Sequence, residues 1–224
     1  RKTGKRIFYT PADVSVAMTL VARQAALRVM PEKSCLPLIC DLATADDLPA
    51  VLKSHSHAGA ARLVTFFGMI PNFEPQLILP KLAALIRRND WLLFSANLAP
   101  GPDYTAGMKK ILPQYDNALT RDWLMTFLLD LGVERNDGEL ICSIEYGGFD
   151  LKRVIVRFRF LRSRHIQIAM KVFEFRRGDV IQLFFSYRYT PERVCKVLGK
   201  HGLEVQEQWV AESGEEGVFL CHKK

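Results

Sequence analysis

No apolar run in this sequence approaches the roughly 20 residues that a membrane-spanning helix needs. The five cysteines, Cys35, Cys40, Cys142, Cys195 and Cys221, form no C-x-x-C pair. The histidines, His55, His57, His165, His201 and His222, are scattered, so no cluster has metal-ligand spacing and no metal is expected. No serine or cysteine triad can be argued from local motifs, and there is neither an internal repeat nor a low-complexity segment. An odd cysteine count without a signal peptide points to a reducing, cytoplasmic setting. The chain also lacks the clustered basic stripe of a nucleic-acid domain, although 31 Lys and Arg against 24 Asp and Glu leave a net charge of +7 that favours anionic ligands.

What is present is the composition of an ordinary globular protein, 49% hydrophobic and 25% charged over 224 residues, enough to bury a real core. Short apolar runs alternate with amphipathic stretches through the first hundred residues. Ile7 to Thr10 reads as a strand, and Val14 to Val29 as a helix stopped by Pro31. Cys35 to Cys40 reads as a buried strand, Leu48 to Ser54 as a short helix and Leu63 to Phe67 as a strand ended by Gly68. Pro75 opens a helix running to Arg88 with a kink expected at Pro80, and Trp91 to Asn97 is a fourth strand. Strands alternating with helices imply βαβ units and a mainly parallel sheet.

Pro100-Gly101-Pro102 breaks that pattern. Asp103 to Leu131 reads as helical, interrupted at Pro113. Glu139 to Phe185 turns to β, with a hairpin turn at Arg176-Arg177-Gly178-Asp179. Val154, Val156, Phe158 and Phe160 alternate with Arg153, Arg157 and Arg159, which gives a solvated basic face opposite core phenylalanines. Ile166, Ile168 and Met170 alternate similarly. Thr190 caps a helix with Pro191 in its first position, Gly202 ends it, and Leu203 to Val210 and Val218 to His222 close the fold. The organisation expected is a first part at 1–101, an α+β insert at 102–185 and a closing part at 186–224.

In such a sheet ligands bind beyond the carboxyl ends of the strands. Those ends carry Asp13, Asp41, and Gly68 with Asn72. Taken singly, Asp13 also reads as a helix cap and Asp41 as a turn residue. Their order adds to this. Tyr9-Thr10-Pro11-Ala12-Asp13-Val14-Ser15 resembles the Y-x-P-x-D-x-S stretch of the histidine-specific methyltransferases known from ergothioneine biosynthesis. Pro37 to Leu42 resembles their apolar strand ending in G-D-F, and Phe66 to Phe73 their F-L-G-S-x-I-G-N. Tyr115-Asp116-Asn117-Ala118 is similar to Y-D-D-A, while Leu161-Arg162-Ser163 and Phe185 to Tyr189 resemble the closing L-R-S and x-S-Y-K-Y.

That resemblance implies an α/β fold: a Rossmann-like methyltransferase sheet, mostly parallel with an antiparallel closing strand, and an inserted α+β substrate-binding subdomain. It implies S-adenosylmethionine as cofactor and N-methylation of a small amino-acid-like or amine substrate. Asp13 would hold the ribose, Asp41 and Leu42 would flank the adenine, and Gly68 falls in the cofactor set. Asn72 and Tyr115 would face the amino-acid portion of the substrate and Ser186 its ring. No catalytic residue is assigned, and a homo-oligomer is left open.

Two departures qualify this. The family has an acid two residues before the serine, where this chain has Phe184, which suits a more apolar or aromatic substrate unless it is simply a core residue. The family's first strand and E-L-G-x-G-type turn find no match here, and Gly4 in Lys2-Thr3-Gly4-Lys5-Arg6, directly before the first strand, does not substitute for them. A chain starting at Arg1 is expected to be trimmed or processed, to expose a sheet edge, and to bind cofactor weakly. The alternatives are a non-catalytic homologue, or a basic nucleic-acid or anion-binding module using Arg153, Arg157, Arg159, Arg162 and Arg164.

Overall fold

The computed structural model describes residues 4–55 and 59–224, so Arg1, Lys2, Thr3 and His57 lie outside it. The chain divides into two compact units, residues 1–58 and 59–224.

In the first unit, β1 (Ala12–Asp13) pairs in parallel with β2 (Leu38–Ile39). The ladder is longer than those two strands: Leu36, Leu38 and Cys40 donate their N–H groups to the carbonyls of Tyr9, Pro11 and Asp13. The first strand is therefore displaced toward the C-terminus of the expected Ile7 to Thr10, and Ile7 is 61% exposed. Pro11 sits in this ladder without penalty because only its carbonyl is used. The second strand is not the buried element expected, since Ile39 is exposed.

Helix α1 (Val16–Leu27) starts two residues later than its apolar pattern suggests, because Ser15 rather than Asp13 is the cap. The Ser15 side chain accepts from the Met18 N–H, while Asp13 accepts from the Ser15 N–H in a local turn. Helix α2 (Leu48–Ser54) has the bounds expected.

In the second unit, β3 (Leu63–Phe66), β4 (Trp91–Asn97), β11 (Glu216–Lys223) and β10 (Leu203–Val210) form one sheet in that order. β3 and β4 are parallel, and β11 runs against both β4 and β10. Three strands thus share a direction and β11 alone is reversed, which supplies the antiparallel closing strand. Helix α3 (Pro75–Leu85) has Pro75 in its first turn, Pro80 inside it, and ends before the expected Arg88. The reason is Asp90, which accepts from the Arg87 backbone and side chain and holds the segment outside the helix.

Helices α4 (Tyr104–Ile111) and α5 (Ala118–Asp130) are capped by Asp103 and Asn117 and separated by a turn containing Pro113. A three-stranded antiparallel sheet follows, β5 (Gly138–Tyr146), β6 (Lys152–Phe160) and β9 (Val180–Arg188), in the order β5-β6-β9. Phe158 and Phe160 from β6 pack in a core with Met125, Leu128, Val133 and Ile166. Ile155 is as buried as its neighbours Val154 and Val156, so β6 is covered on both faces there and the alternation fails.

The Arg176–Asp179 turn exists but closes no hairpin. It leads from β8 (Lys171–Phe175), which pairs with β7 (Arg164–Ile168), to β9, which pairs with β6. The hairpin is β7-β8, turning at Ala169 and Met170, so Met170 lies at a tip, 99% exposed, rather than in a strand. Helix α6 (Pro191–Gly199) is capped by Thr190. It stops before Gly202, whose φ of +71° provides the left-handed turn into β10.

The basic face of β6 also differs from expectation. Arg153 pairs with Glu74, Arg157 with Glu145, Arg159 with Glu139, and Arg162 and Arg164 both with Glu134 and Asp137. The register puts Glu139 directly opposite Arg159, and the neighbouring strand supplies Glu145 as well. These arginines are neutralised by protein carboxylates rather than by solvent alone.

Candidate functional site

In the second unit the turn Ile70–Asn72 packs against β4 and β9. Two features fix it there. Gly68 adopts φ +71° and donates its N–H to the Ser95 hydroxyl of β4 at 2.9 Å, and Asn72 donates its side-chain amide to the Phe185 carbonyl of β9 at 2.9 Å. On the face of β9 that carries even-numbered residues stand Phe184, Ser186 and Arg188. Tyr115, from the segment joining α4 to α5, meets all three. Its ring lies 5.6 Å from that of Phe184, its hydroxyl donates to Ser186 Oγ at 3.1 Å, and it accepts from Arg188 Nη2 at 2.9 Å. Trp123 of α5 adds an edge-on contact with Phe184 at 6.4 Å. Asn72, Tyr115, Phe184 and Ser186, named separately from the sequence, are thus brought together on β9.

Arg188 and Trp123 were not singled out by the sequence. Arg188 shares the strand parity of Phe184 and Ser186, which is the signal that could have found it. Trp123 has no such signal, since it reads as one more apolar residue of a helix. The opposite face of β9 carries Tyr187, whose hydroxyl donates to Glu74 at 2.6 Å. Burial, and then that carboxylate, push the Tyr187 phenol up to about 12, so it stays a donor at neutral pH.

In the first unit Asp13 ends β1, and Asp41 and Leu42 follow β2, at the carboxyl end of the parallel pair. One oxygen of each carboxylate is used locally, Asp13 by the Ser15 N–H and Asp41 by the Ala43 N–H. The other oxygen of each has no hydrogen bond among the described residues. Burial, and then Asp41, Asp47 and Asp13, raise the Cys40 thiol between them, which marks this end as acidic. Spare carboxylate oxygens beside Leu42 fit the hydroxyls and apolar face of an adenosine. The cavity of about 310 Å³ in this unit lies elsewhere, lined by residues including Tyr9, Lys33, Cys35 and His55, and contains none of the three. Among the described residues there is no metal-binding group of three or more His, Cys, Asp or Glu, and no helix long and apolar enough to cross a membrane.

A family profile described as "Histidine-specific methyltransferase, SAM-dependent" matches residues 1–223. The chain belongs to that family. It is a SAM-dependent methyltransferase, and its cofactor is S-adenosylmethionine. No curated protein matches it. Among solved structures it is similar to a S-adenosylmethionine-dependent methyltransferase from Clostridium acetobutylicum, at 10% identity and TM-score 0.43, covering 97% of this chain and 85% of that one. It is also similar to the CcbJ methyltransferase from Streptomyces caelestis, at 10% identity and TM-score 0.44, covering 98% and 90%. A third is magnesium protoporphyrin IX methyltransferase from Synechocystis, at 12% identity and TM-score 0.46, covering 97% and 64%. Likenesses this low in identity and score say nothing of substrate.

Proposed function

We propose that this methyltransferase methylates a nitrogen of a small amino-acid-like or amine substrate, held at the β9 corner. The observation that carries this reading is the meeting of Asn72, Tyr115, Phe184 and Ser186 around one strand, with polar groups beside an aromatic wall. A few placed polar groups beside aromatic rings can orient a ligand while the rings exclude water. When bound, the cofactor supplies an electrophilic methyl group on a sulfonium. Asp13 and Asp41 would hold its ribose and adenine through their spare oxygens, with Leu42 against the adenine.

The protein's share of the rate is then positional. Asn72 and Tyr115 would fix the amino-acid portion, and Phe184 would keep water from the ring. The attacking nitrogen must be unprotonated, so turnover should rise with pH through the amine's own titration.

Incubation with S-adenosylmethionine and a panel of amino acids and amines, read by mass spectrometry, tests the reading. Appearance of S-adenosylhomocysteine with an N-methylated product is expected. A panel that gives neither, with cofactor binding confirmed by calorimetry, would overturn it. Asp13→Ala should weaken S-adenosylhomocysteine binding about tenfold, the loss of one charge-assisted hydrogen bond; an unchanged affinity removes Asp13 from the cofactor site.

A further inference from the structure

The short turn Glu32–Ser34 is tied to the first strand of its unit. Ser34 donates its N–H to the Pro31 carbonyl, and its own carbonyl accepts from the Tyr9 N–H, each at 2.9 Å. Both backbone groups of Ser34 are therefore used. Its hydroxyl is not: Ser34 is 7% exposed, and its Oγ has no hydrogen-bond partner among the described residues. A hydroxyl so buried costs free energy unless something meets it. Ser34 lines the cavity of about 310 Å³, which is the space from which a partner can reach it.

Charge at the cavity points the same way. Lys33 lines it and has no ion pair among the described residues. The carboxylate next to it in sequence, Glu32, pairs with Arg23 instead. The lining thus offers a spare hydroxyl and one uncompensated positive charge. Phe8, Tyr9 and Leu36 give it aromatic and apolar walls. Water satisfies a hydroxyl, but beside such walls it finds few partners, and an apolar body that also carries an acceptor displaces it favourably. The volume is at the small end of the range for ligand pockets.

We propose that this cavity binds a small aromatic monocarboxylate, its carboxylate received by Ser34 Oγ and Lys33 and its ring lying against Tyr9 and Leu36. The site uses none of the residues assigned above to cofactor or substrate. It lies at the amino end of the parallel ladder whose carboxyl end carries Asp13 and Asp41, so the two ends of one ladder serve two different ligands.

Two probes of nearly the same shape test it: 2-naphthoate and its neutral counterpart 2-naphthamide. Each is titrated calorimetrically into the full chain at neutral pH, with S-adenosylhomocysteine present so that the cofactor end is filled. 2-Naphthoate should bind about fivefold more tightly than the amide, a modest ratio because Lys33 is exposed and its attraction is screened. Lys33→Met should bring that ratio to about one. Ser34→Ala should weaken 2-naphthoate about fivefold, the loss of one hydrogen bond. Lys33 is on the surface, so its variant decides the matter should the Ser34 variant fail to fold. No binding of 2-naphthoate, or binding that neither substitution weakens, overturns the site. Equal binding of both probes to the natural chain overturns the preference for an anion.

Discussion

Phe184 sets the chemistry of the corner by what it cannot do. Its ring fills the space between Tyr115 and Trp123 and accepts no hydrogen bond from an imidazole. Phe184→Glu would place a carboxylate on the same face of β9 as Ser186 and Arg188. Affinity for L-histidine should then rise, and that for L-phenylalanine fall, each by about tenfold, because a paired polar group discriminates more sharply than an apolar wall. Calorimetry on the two proteins checks this, and an unimproved histidine affinity would show that residue 184 does not touch the ligand. The sequence made Phe184 conspicuous because one position in a familiar motif had changed. Arg188 stood in the closing motif but was given no role, since a strand arginine is ordinarily a surface residue and only burial shows otherwise.

At the scale of elements, the connection from α3 to β4 is held by one carboxylate. Asp90 is 1% exposed and accepts hydrogen bonds from the backbone and side chains of both Arg62 and Arg87. Burial alone would raise its carboxyl, but the hydrogen bonds from Arg87 and Arg62 outweigh it and hold the group well below the usual carboxylate range. Asp90→Ala leaves two arginines facing an empty site and should cost about 3 kcal/mol in denaturant unfolding. A loss below about 1 kcal/mol would show that solvent already screens the cluster. A carboxyl whose folded value is depressed stabilises the fold above its unfolded value and loses that contribution as pH falls toward the folded one. Asp137 is lowered likewise, burial being outweighed by hydrogen bonds from the Glu134 backbone and Arg162. Stability should therefore drop steeply below about pH 4, near the unfolded carboxylate value, and the Asp90 variant should lose less over that range.

Across the whole molecule, a net charge of +7 does not become a basic surface stripe along β6. Each arginine named there has a carboxylate partner, several of them exposed pairs worth little to stability. Their effect is on the field: a paired arginine releases few counterions when it meets a phosphate. Fluorescence anisotropy with a labelled generic duplex should show no binding even at low salt. Binding that fades as salt rises would restore the nucleic-acid reading.

Elements with local signals were legible in the sequence. Thr190 caps its helix, Pro75 and Pro191 occupy first turns, and β4 spans the expected Trp91–Asn97. Capping and turn chemistry act within a few residues, so they can be read along the chain. Partnership could not be. Alternation tells which side chains share a face of a strand but not which strand lies beside it, and so the Arg176–Asp179 turn suggested a hairpin that tertiary pairing assigns to β7 and β8. The candidate site is of the second kind. Tyr115 lies 71 residues from Ser186 and 73 from Arg188. The motif order named the tyrosine and the serine, but only tertiary folding set Tyr115 against β9 and buried Arg188 beside it.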